Sequence, residues 1–360
     1  MLHFHPLEIV ELKRETEDCI GVTFAVPPDL RETYRFVQGQ HVALRTTLDG
    51  EELRRTYSLC THAGDERLRI AIKRHPNGRF SSWANEQLKV GDRVEVLAPA
   101  GSFHTQLDPH AERLYVAFTG GSGITPVISN VKTILADEPR SRFILFYANR
   151  TTASIIFREE LEDLKNRYLT RFAVHHFLTR EQRDVELYNG RIDAAKTAEL
   201  CRGLIPVAAV DTFFLCGPGT MNDEVSQALQ AAGAPAARIH AEWFTTAAPA
   251  TESTAAAAAQ PSAARCNVTV VLDGVSSEYD MAMGSSGESI LDAALARGLD
   301  LPYSCKAGVC TTCRAKLMEG KVDFTVNYGL EPYEIEEGII LTCQSRPLTE
   351  RVLIDFDEAG

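Results

Sequence analysis

The 360-residue sequence lacks a long apolar run and lacks the basic, then apolar, beginning of an export signal. Its first residues, MLHFHPLEIVELKRETEDC, alternate charged and apolar side chains. No later apolar stretch approaches the length of about eighteen residues that a membrane-spanning helix needs. We therefore expect a cytoplasmic protein with no membrane partner.

The chain has an odd number of cysteines, nine, and it also lacks an export signal. A disulfide framework is not expected for such a chain, and reduced thiols or metal ligands are favoured instead. The cysteines that stand close together in sequence therefore become the first candidates for a site.

Excess basic charge is absent as well. The net charge is −12, and residues 266–360 contribute −9 of it, with 16 Asp and Glu against 7 Lys and Arg. This acidity argues against nucleic-acid binding. It indicates either a basic docking partner or a solvated surface that aids solubility.

Changes in composition and in the pattern of apolar residues predict three domains and a linker. Residues 1–106 hold short alternating segments such as HVALR and LRIAIKR between Gly, Pro and Asn turns, which is typical of a small antiparallel β-barrel or sandwich. Residues 107–246 alternate continuous apolar runs with helical stretches, which predicts an α/β domain with a parallel sheet. Residues 247–265, rich in Ala, Thr, Ser and Pro, are interpreted as a flexible linker. Residues 266–360 mix short strands with one helix, ESILDAALARG, and form the third predicted domain.

Three cysteines crowd into the stretch PYSCKAGVCTTCRAK. Cys305, Cys310 and Cys313 follow the spacing C-x4-C-x2-C, and 29 residues separate Cys313 from Cys343. This is the ligand spacing of a plant-type ferredoxin 2Fe-2S cluster, in which each iron takes two protein thiolates. A structural zinc site more often has two C-x2-C hooks, and four unrelated buried thiols do not usually share one Gly-containing loop. The predicted cluster carries one electron and needs an electron donor.

The stretch ELRRTYSLC contains Arg55-x-Tyr57-Ser58, and NGRFSSW follows it along the chain. Here the sequence resembles the ferredoxin-NADP reductase superfamily, in which an R-x-Y-S strand and a Gly-x-x-Ser turn bind FAD. The resemblance implies that Arg55 pairs with a phosphate, Tyr57 lies along the isoalloxazine and Ser58 hydrogen-bonds near flavin N5. A guanidinium fork suits a phosphate, and a rigid aromatic suits an apolar ring. Further predicted flavin contacts are Lys73, Gly78, Phe80, Ser81 and Ser82.

One departure from the superfamily pattern lies in VQGQH. The superfamily usually has Pro before Gly39, whereas this chain has Gln38. Because proline fixes its own backbone angle, we expect Gln38 to loosen this turn. The later stretch LAPAGSF matches the superfamily's turn at the end of the barrel.

The stretch AFTGGSGITPVISNVKTIL predicts a buried strand, a glycine-rich turn and a helix, the setting in which backbone amides bind a pyrophosphate. It is not the G-x-G-x-x-G fingerprint, but it resembles the nicotinamide domain of the same superfamily, and FLCGPGTMND supplies the second signature. The predicted catalytic residues are Ser58 at the flavin and Thr125 and Cys216 at the nicotinamide. Further predicted nicotinamide-binding residues are Gly120, Gly121, Gly123, Gly217 and Pro218.

The coenzyme is predicted from ANRTT, the stretch after the strand FILFY. Arg150 stands there at the position where an acidic residue would bind the ribose 2′-hydroxyl of NADH. An arginine favours the 2′-phosphate of NADPH instead. NADPH is therefore the expected coenzyme, with NADH as the alternative.

The flavin, nicotinamide and ferredoxin motifs together cover the whole chain. They imply an electron-transfer reductase with a β-grasp 2Fe-2S domain that passes electrons from NADPH through FAD and the cluster to an oxygenase. The resemblance runs end to end to the reductase subunits of phenylacetyl-CoA epoxidases, and it implies that the partner is the oxygenase component of that complex, in aerobic phenylacetate degradation. We hypothesise that acidic residues near the cluster ligands dock this partner: Glu331, Glu334, Glu336 and Glu337.

Three alternatives stay open at this point. The chain could serve another oxygenase, such as a steroid 9α-hydroxylase. It could be a reductase of the phthalate dioxygenase type, which carries FMN. It could also be a non-catalytic iron-sulfur redox sensor, although the complete R-x-Y-S and GGSG motifs count against that class.

Overall fold

The computed structural model describes residues 3–244, 264–284, 287–324 and 326–359. The chain divides into two compact units, Phe4–Phe244 and a second unit that contains Thr245–Gly360. Most of the predicted linker, residues 247–263, lies outside the described residues, and the predicted domain boundaries stay predictions. In the part of the chain that the structure describes, no helix is long and apolar enough to cross a membrane.

The first half of the unit Phe4–Phe244 is an antiparallel β-barrel. Its elements are β1 Phe4–Thr16, β2 Cys19–Ala25, β3 His41–Leu48, β4 Glu51–Ser58, β5 Arg67–Lys73, α1 Arg79–Gln87 and β6 Arg93–Leu97. The strand order is β4-β3-β6-β1-β2-β5. A bridge between Leu59 and Ile70 joins the chain after β4 to β5 and closes the sheet on itself. Closure removes the unpaired edges that an open antiparallel sheet would expose.

The second half of this unit is a parallel sheet covered by helices. Its elements are β7 Leu114–Gly120, α2 Ile124–Asp137, β8 Arg142–Asn149, α3 Arg158–Arg167, β9 Phe172–Leu178, α4 Ala194–Gly203, β10 Thr212–Cys216, α5 Met221–Ala231 and β11 Ile239–Ala241. The strand order is β11-β10-β7-β8-β9, with every neighbouring pair parallel. The chain order therefore reverses beside β7, and ligands of open α/β sheets bind at such a switch point.

The central strand β7 shows why the apolar runs of this domain are continuous. Tyr115 and Ala117 enter one core with α2 and α3, whereas Leu114, Val116 and Phe118 enter a second core with α4 and α5. Because both faces of the sheet are covered, no residue of this strand needs to be polar.

The second unit is an α+β domain of the β-grasp kind. Its elements are β12 Arg265–Leu272, β13 Val275–Ala282, α6 Ile290–Leu295, β14 Arg314–Glu319, β15 Val322–Phe324, α7 Pro332–Glu336, β16 Ile339–Leu341, β17 Ser345–Pro347 and β18 Arg351–Asp355. The main sheet has the order β13-β12-β18-β14-β16, and only β12 and β18 pair in parallel. The predicted fold classes of all three domains are confirmed.

Candidate flavin, nicotinamide and iron-sulfur sites

The predicted flavin strand is β4, and its aromatic residue forms part of a wall. The half-buried ring of Tyr57 lies against Phe80, with 5.7 Å between the ring centroids. Phe80 meets Trp83 edge to face at 5.4 Å. Burial raises the pKa of the Tyr57 hydroxyl well above its ordinary value, so the side chain stays neutral. A neutral, partly exposed aromatic is suited to cover an apolar ring system.

The polar residues of the flavin motif flank this wall. Arg55 is exposed, and its Nη1 donates to the carbonyl oxygen of Arg54 at 2.7 Å. Ser58 is buried at the end of β4, opposite His41 in the ladder. Lys73 ends β5, and its Nζ lies 3.7 Å from a carboxylate oxygen of Asp18.

The predicted pyrophosphate turn leads into α1 and is closed by one serine. The Ser81 hydroxyl accepts from the backbone N–H of His75 at 3.0 Å and donates to the Gly78 carbonyl at 3.2 Å. A Cβ atom at Gly78 would lie 2.5 Å from that hydroxyl oxygen, so the turn requires glycine. The backbone N–H of Ser82 donates to the Gly78 carbonyl at 2.9 Å, whereas the amides of residues 79–81, which come before it, have no carbonyl partner within the helix. They are the donors that this turn offers to a phosphate.

The turn expected to be loosened by Gln38 is held by that residue instead. Gln38 is buried, and its amide Nε2 donates to the carbonyl oxygen of Thr105 at 2.8 Å. A Cβ atom at Gly39 would lie 2.0 Å from the carbonyl oxygen of Phe103, so the two segments pack backbone to backbone. The expectation of a loose turn was wrong, because a side-chain hydrogen bond replaces the rigidity of the missing proline.

The predicted nicotinamide residues meet at the carboxyl ends of β7 and β10, at the switch point of the sheet. A Cβ atom at Gly123 would lie 2.0 Å from the carbonyl oxygen of Cys216, and one at Gly120 would lie 2.7 Å from Cδ of Pro218. The Thr119 hydroxyl donates to the same Cys216 carbonyl at 2.7 Å. These glycines therefore allow two turns, distant in sequence, to pack against each other.

The remaining residues of these turns either leave open space, as Gly121 does, or are closely packed, as Gly217 and Thr125 are. Gly121 has a φ of +55°, and no atom lies within 4 Å of its Cβ position, which leaves room for a ligand. A Cβ atom at Gly217 would lie 2.3 Å from the sulfur of Met221. Thr125 is buried in the first turn of α2, and its hydroxyl donates to the carbonyl oxygen of Ser122 at 3.0 Å. The amides of residues 121–123 begin the helical segment that leads into α2, and amides at such a start lack carbonyl partners within the helix and can bind an anion.

The structure adds Glu242, which the sequence analysis missed. Its backbone N–H donates to the carbonyl oxygen of Leu215, and its Oε1 lies 3.8 Å from Nδ1 of His41. Its Oε2 is buried without a hydrogen-bond partner. Burial, and then the charge of Glu242, raise the pKa of the Cys216 thiol well above its ordinary value, so Cys216 is a neutral thiol. An acidic residue directly after a short final strand was the one sequence signal for Glu242.

The predicted coenzyme-selecting residue lies after the strand next to β7. Arg150 follows β8 and is exposed, and its carbonyl oxygen accepts from the backbone N–H of Arg180 at 2.8 Å. The neighbouring Thr152 donates from its N–H and its hydroxyl to the carboxylate of Glu181 at 2.7 and 2.6 Å. The Glu181 carboxylate is therefore hydrogen-bonded to Thr152, and the Arg150 guanidinium extends into solvent.

The predicted cluster loop brings its first two thiols together. The N–H of Cys305 donates to the sulfur of Cys310 at 3.4 Å, and the N–H of Cys310 donates back to the sulfur of Cys305 at 3.4 Å. Ala307 adds a third amide, 3.3 Å from the Cys305 sulfur. A hydrogen bond from the Cys310 side chain, together with the backbone amides, lowers the pKa of the Cys305 thiol to about 6 despite its burial. Amide donors of this kind favour a thiolate, the form that binds iron.

The other two thiols form a second pair. The side chains of Cys313 and Cys343 hydrogen-bond to each other. The hydroxyl of Thr342 donates to the carbonyl oxygen of Cys313 at 3.0 Å and joins the two segments. Nε2 of Gln344 lies 3.6 Å from the Cys343 sulfur.

The arrangement in pairs fits a binuclear cluster. Within residues 3–244, 264–284, 287–324 and 326–359, no three metal-ligating side chains converge on a single-ion site. Two pairs of thiols are what two irons require, since each takes two protein ligands. The donor set is therefore suited to a 2Fe-2S cluster, although the four ligands remain predictions.

Comparisons with known proteins agree with this order of sites. The family model of an oxidoreductase FAD-binding domain matches residues 6–105, that of an oxidoreductase NAD-binding domain matches residues 118–227, and that of a 2Fe-2S iron-sulfur cluster binding domain matches residues 279–348. The solved structure of phthalate dioxygenase reductase, described as a modular structure for electron transfer from pyridine nucleotides to [2Fe-2S], has the same fold. It aligns with a TM-score of 0.60 at 24% identity and covers 98% of each chain.

Two curated relatives align over almost their whole length. A subunit of 1,2-phenylacetyl-CoA epoxidase from Escherichia coli (strain K12) is 43% identical over 100% of this chain and 99% of its own. The ferredoxin reductase component of 3-ketosteroid-9-alpha-monooxygenase from Rhodococcus rhodochrous is 35% identical over 97% of this chain and 96% of its own. The chain is an oxidoreductase, and it belongs to the family of reductase components that join an FAD-binding, an NAD-binding and a 2Fe-2S domain in one polypeptide.

Proposed function

We propose that this chain is the reductase component that carries electrons from NADPH, through FAD and a 2Fe-2S cluster, to the oxygenase component of a phenylacetyl-CoA epoxidase. When bound, the nicotinamide supplies electrons in pairs, and the flavin and the cluster deliver them singly. One observation carries the redox half of the proposal. The two glycine turns meet at the switch point between β7 and β10, in the same compact unit as the R-x-Y-S strand.

The residues of each turn have distinct roles in this proposal. The amides before α2 bind the coenzyme pyrophosphate, while Thr125 and the neutral thiol of Cys216 border the nicotinamide ring. Tyr57 covers the flavin ring, and the Ser58 hydroxyl hydrogen-bonds near flavin N5. Because Cys216 is small and uncharged, it neither blocks the approach of the nicotinamide to the flavin nor places a charge of its own beside the ring.

The identity of the partner rests on full-length similarity. The chain is 43% identical to a phenylacetyl-CoA epoxidase subunit and 35% identical to a steroid monooxygenase reductase component, with nearly complete coverage in both cases. The higher identity favours the phenylacetyl-CoA oxygenase as the electron acceptor. The steroid oxygenase is the second candidate.

The hypothesis that four glutamates dock the partner needs correction at two positions, Glu334 and Glu331. Glu334 is buried, and its Oε1 forms an ion pair with Nη2 of Arg314 at 2.9 Å. It also caps α7 together with the half-buried Glu331. We therefore assign docking to the exposed Glu336 and Glu337.

A coupling assay tests the proposal. The FAD- and cluster-loaded protein is mixed with NADPH, phenylacetyl-CoA and the oxygenase component of a phenylacetyl-CoA epoxidase, and in parallel with a 3-ketosteroid oxygenase and its steroid. We expect close to one epoxide per NADPH in the first mixture and uncoupled NADPH oxidation in the second. Coupling only to the steroid oxygenase would transfer the function to the second candidate.

Two further measurements test for an FMN reductase and for a redox sensor. Release and identification of the bound flavin separates FAD from FMN. Reduction of an artificial dye by NADPH separates a reductase from a redox sensor, because a sensor that no longer oxidises NADPH leaves the dye unchanged.

A further inference from the structure

One face of α2 is hydrogen-bonded to the barrel segment formed by residues 60–63. The Ser129 hydroxyl donates to the carbonyl oxygen of Thr61 at 2.7 Å. One turn further along the helix, the Thr133 hydroxyl oxygen accepts from the backbone N–H of Ala63 at 3.1 Å. Both helix side chains are almost fully buried, with 0% and 1% of their surface exposed.

The two hydrogen bonds run in opposite directions, and this fixes a register. The Ser129 hydroxyl meets a carbonyl oxygen, whereas the Thr133 hydroxyl meets an N–H, and the two partners lie two residues apart in the loop after β4. Moving the helix along the segment would leave buried polar groups without hydrogen-bond partners, which is unfavourable. The pair therefore holds α2 at one position along the barrel.

Lys132 strengthens the same contact from the side. Its Nζ donates to the carbonyl oxygen of Cys60 at 2.5 Å and forms an ion pair with Glu160 of α3 at 2.6 Å. Glu160 in turn pairs with Arg69 of β5 at 3.1 Å. Further along, Nε2 of His62 lies 3.1 Å from Oδ1 of Asp137, near the end of α2. We call this row of contacts between α2 and residues 60–63 the α2 seam.

The two sides of the α2 seam lead directly to the two predicted ring sites. Residues 60–63 begin two positions after Ser58, the predicted flavin N5 contact. Ser129 is four residues after Thr125, the predicted nicotinamide contact, which is about 6 Å along a helix. The hydrogen bonds of Ser129 and Thr133 thus form a short, buried connection between the flavin strand and the nicotinamide turn.

We propose that Ser129 and Thr133 are positioning residues that set the distance between the nicotinamide and the flavin, an inference that rests on the proposed function. Neither residue is among the predicted coenzyme-binding residues. Transfer between the rings needs the reacting atoms about 3–3.5 Å apart, and a misplacement of about 1 Å costs on the order of a hundredfold in rate. Loss of the α2 seam therefore affects the transfer step more than the binding of NADPH.

The test compares four variants of the FAD- and cluster-loaded full chain. Ser129→Ala/Thr133→Val removes both hydroxyls with little change in volume, and Thr133→Val removes one. Thr133→Ser keeps the hydroxyl and serves as the conservative rescue. Thr197→Val is the matched control, because Thr197 is also fully buried but its hydroxyl bonds only to the Asp193 carbonyl within α4.

The readouts are the flavin-reduction rate constant at saturating NADPH, measured by stopped flow, the KM for NADPH, and the kinetic isotope effect with NADPH deuterated at C4. For the double variant we expect a rate at least tenfold lower, a KM within twofold of the starting protein, and a larger isotope effect. The flavin-reduction rate of Thr133→Val should lie between those of the starting protein and the double variant. Thr133→Ser and Thr197→Val should keep the rate of the starting protein.

Several results would overturn the inference. An unchanged rate in the double variant would do so, as would a raised KM with an unchanged rate, or an equal loss in Thr197→Val. If the double variant loses its bound flavin, the comparison of Thr133→Val with Thr133→Ser tests the inference instead. Equal flavin-reduction rates for those two variants would contradict it. Failure of the starting protein to reduce its flavin with NADPH or NADH would instead overturn the proposed function itself.

Discussion

The backbone of Gly123 lies directly against the backbone of Cys216, so close that a Cβ atom on the glycine would be 2.0 Å from the cysteine carbonyl oxygen. Neither group can move away like the end of a flexible side chain, because Gly123 lies in the turn after the buried strand β7 and Cys216 is the last residue of the buried strand β10. This contact holds the two predicted nicotinamide turns at the switch point.

Replacing Gly123 by alanine should therefore separate the two turns. We expect at least a tenfold loss in the rate of flavin reduction by NADPH, with flavin content kept, because the barrel is not altered. Gly203→Ala is the control, since Gly203 ends α4 and no atom lies within 4 Å of its Cβ position. That variant should keep full activity and gain up to about 1 kcal/mol in the free energy of unfolding.

Glu334 and Glu336 should respond differently to the loss of charge. Glu334→Gln breaks a buried ion pair with Arg314, and we expect a loss of about 3 kcal/mol in the stability of the second unit. Glu336 is exposed, so Glu336→Gln should change stability by less than about 0.5 kcal/mol. Thermal unfolding, followed by the bleaching of the cluster absorbance, measures both effects. Equal melting temperatures would contradict the structural role of Glu334.

Arg150 should decide between the two nicotinamide coenzymes. In Arg150→Asp the 2′-phosphate of NADPH would face a carboxylate, and we expect the ratio of kcat/KM for NADPH over NADH to fall at least tenfold. Arg140→Asp is the matched control, since Arg140 is also exposed but precedes β8 and thus lies at the opposite end of the strand. A ratio that stays the same in Arg150→Asp would refute the assignment of this residue.

The four predicted cluster ligands should be separable from the other cysteines. Cys343→Ser should lose the visible absorbance of the cluster and the electron transfer to an oxygenase, while reduction of a flavin-specific dye by NADPH continues. Cys201→Ser should keep all three, because Cys201 is a half-buried thiol on α4. A Cys343→Ser protein with an intact cluster spectrum would remove this residue from the ligand set.

His176 should make stability depend on pH. Burial, and then the charge of Arg183, lower the pKa of its imidazole from 6.5 to about 4, and its Nδ1 is buried without a partner. Between these pKa values the unfolded chain binds a proton that the folded chain does not. The contribution of His176 is therefore complete above pH 6.5 and is lost as the pH falls toward about 4, by at most about 3 kcal/mol.

The measurement is the unfolding free energy at several pH values. His176→Gln should flatten the dependence between pH 6.5 and 4, whereas His110→Gln, at an exposed position, should leave it unchanged. A slope that is the same in both variants would show that His176 does not titrate in this way.

Features that depend on local spacing could be predicted from the order of residues alone. Three cysteines within nine residues, Cys305, Cys310 and Cys313, must share one loop, so their chemistry could be predicted without a fold. The continuous apolar run of β7 could be assigned to a strand buried on both faces, because any polar residue there would be left without water. The fold class of each domain followed from such patterns.

Contacts between distant segments, by contrast, became known only from the folded chain. Gly123 and Cys216 are far apart in sequence, and no local pattern shows that one packs on the other. The same holds for Glu242, an ordinary surface residue by its sequence, whose carboxylate has one oxygen buried because β11 ends beside Cys216. Glu334 and Glu336 are indistinguishable by residue type, yet only Glu334 faces Arg314. Burial and pairing arise from close packing of the whole chain, which residue spacing along one segment does not contain.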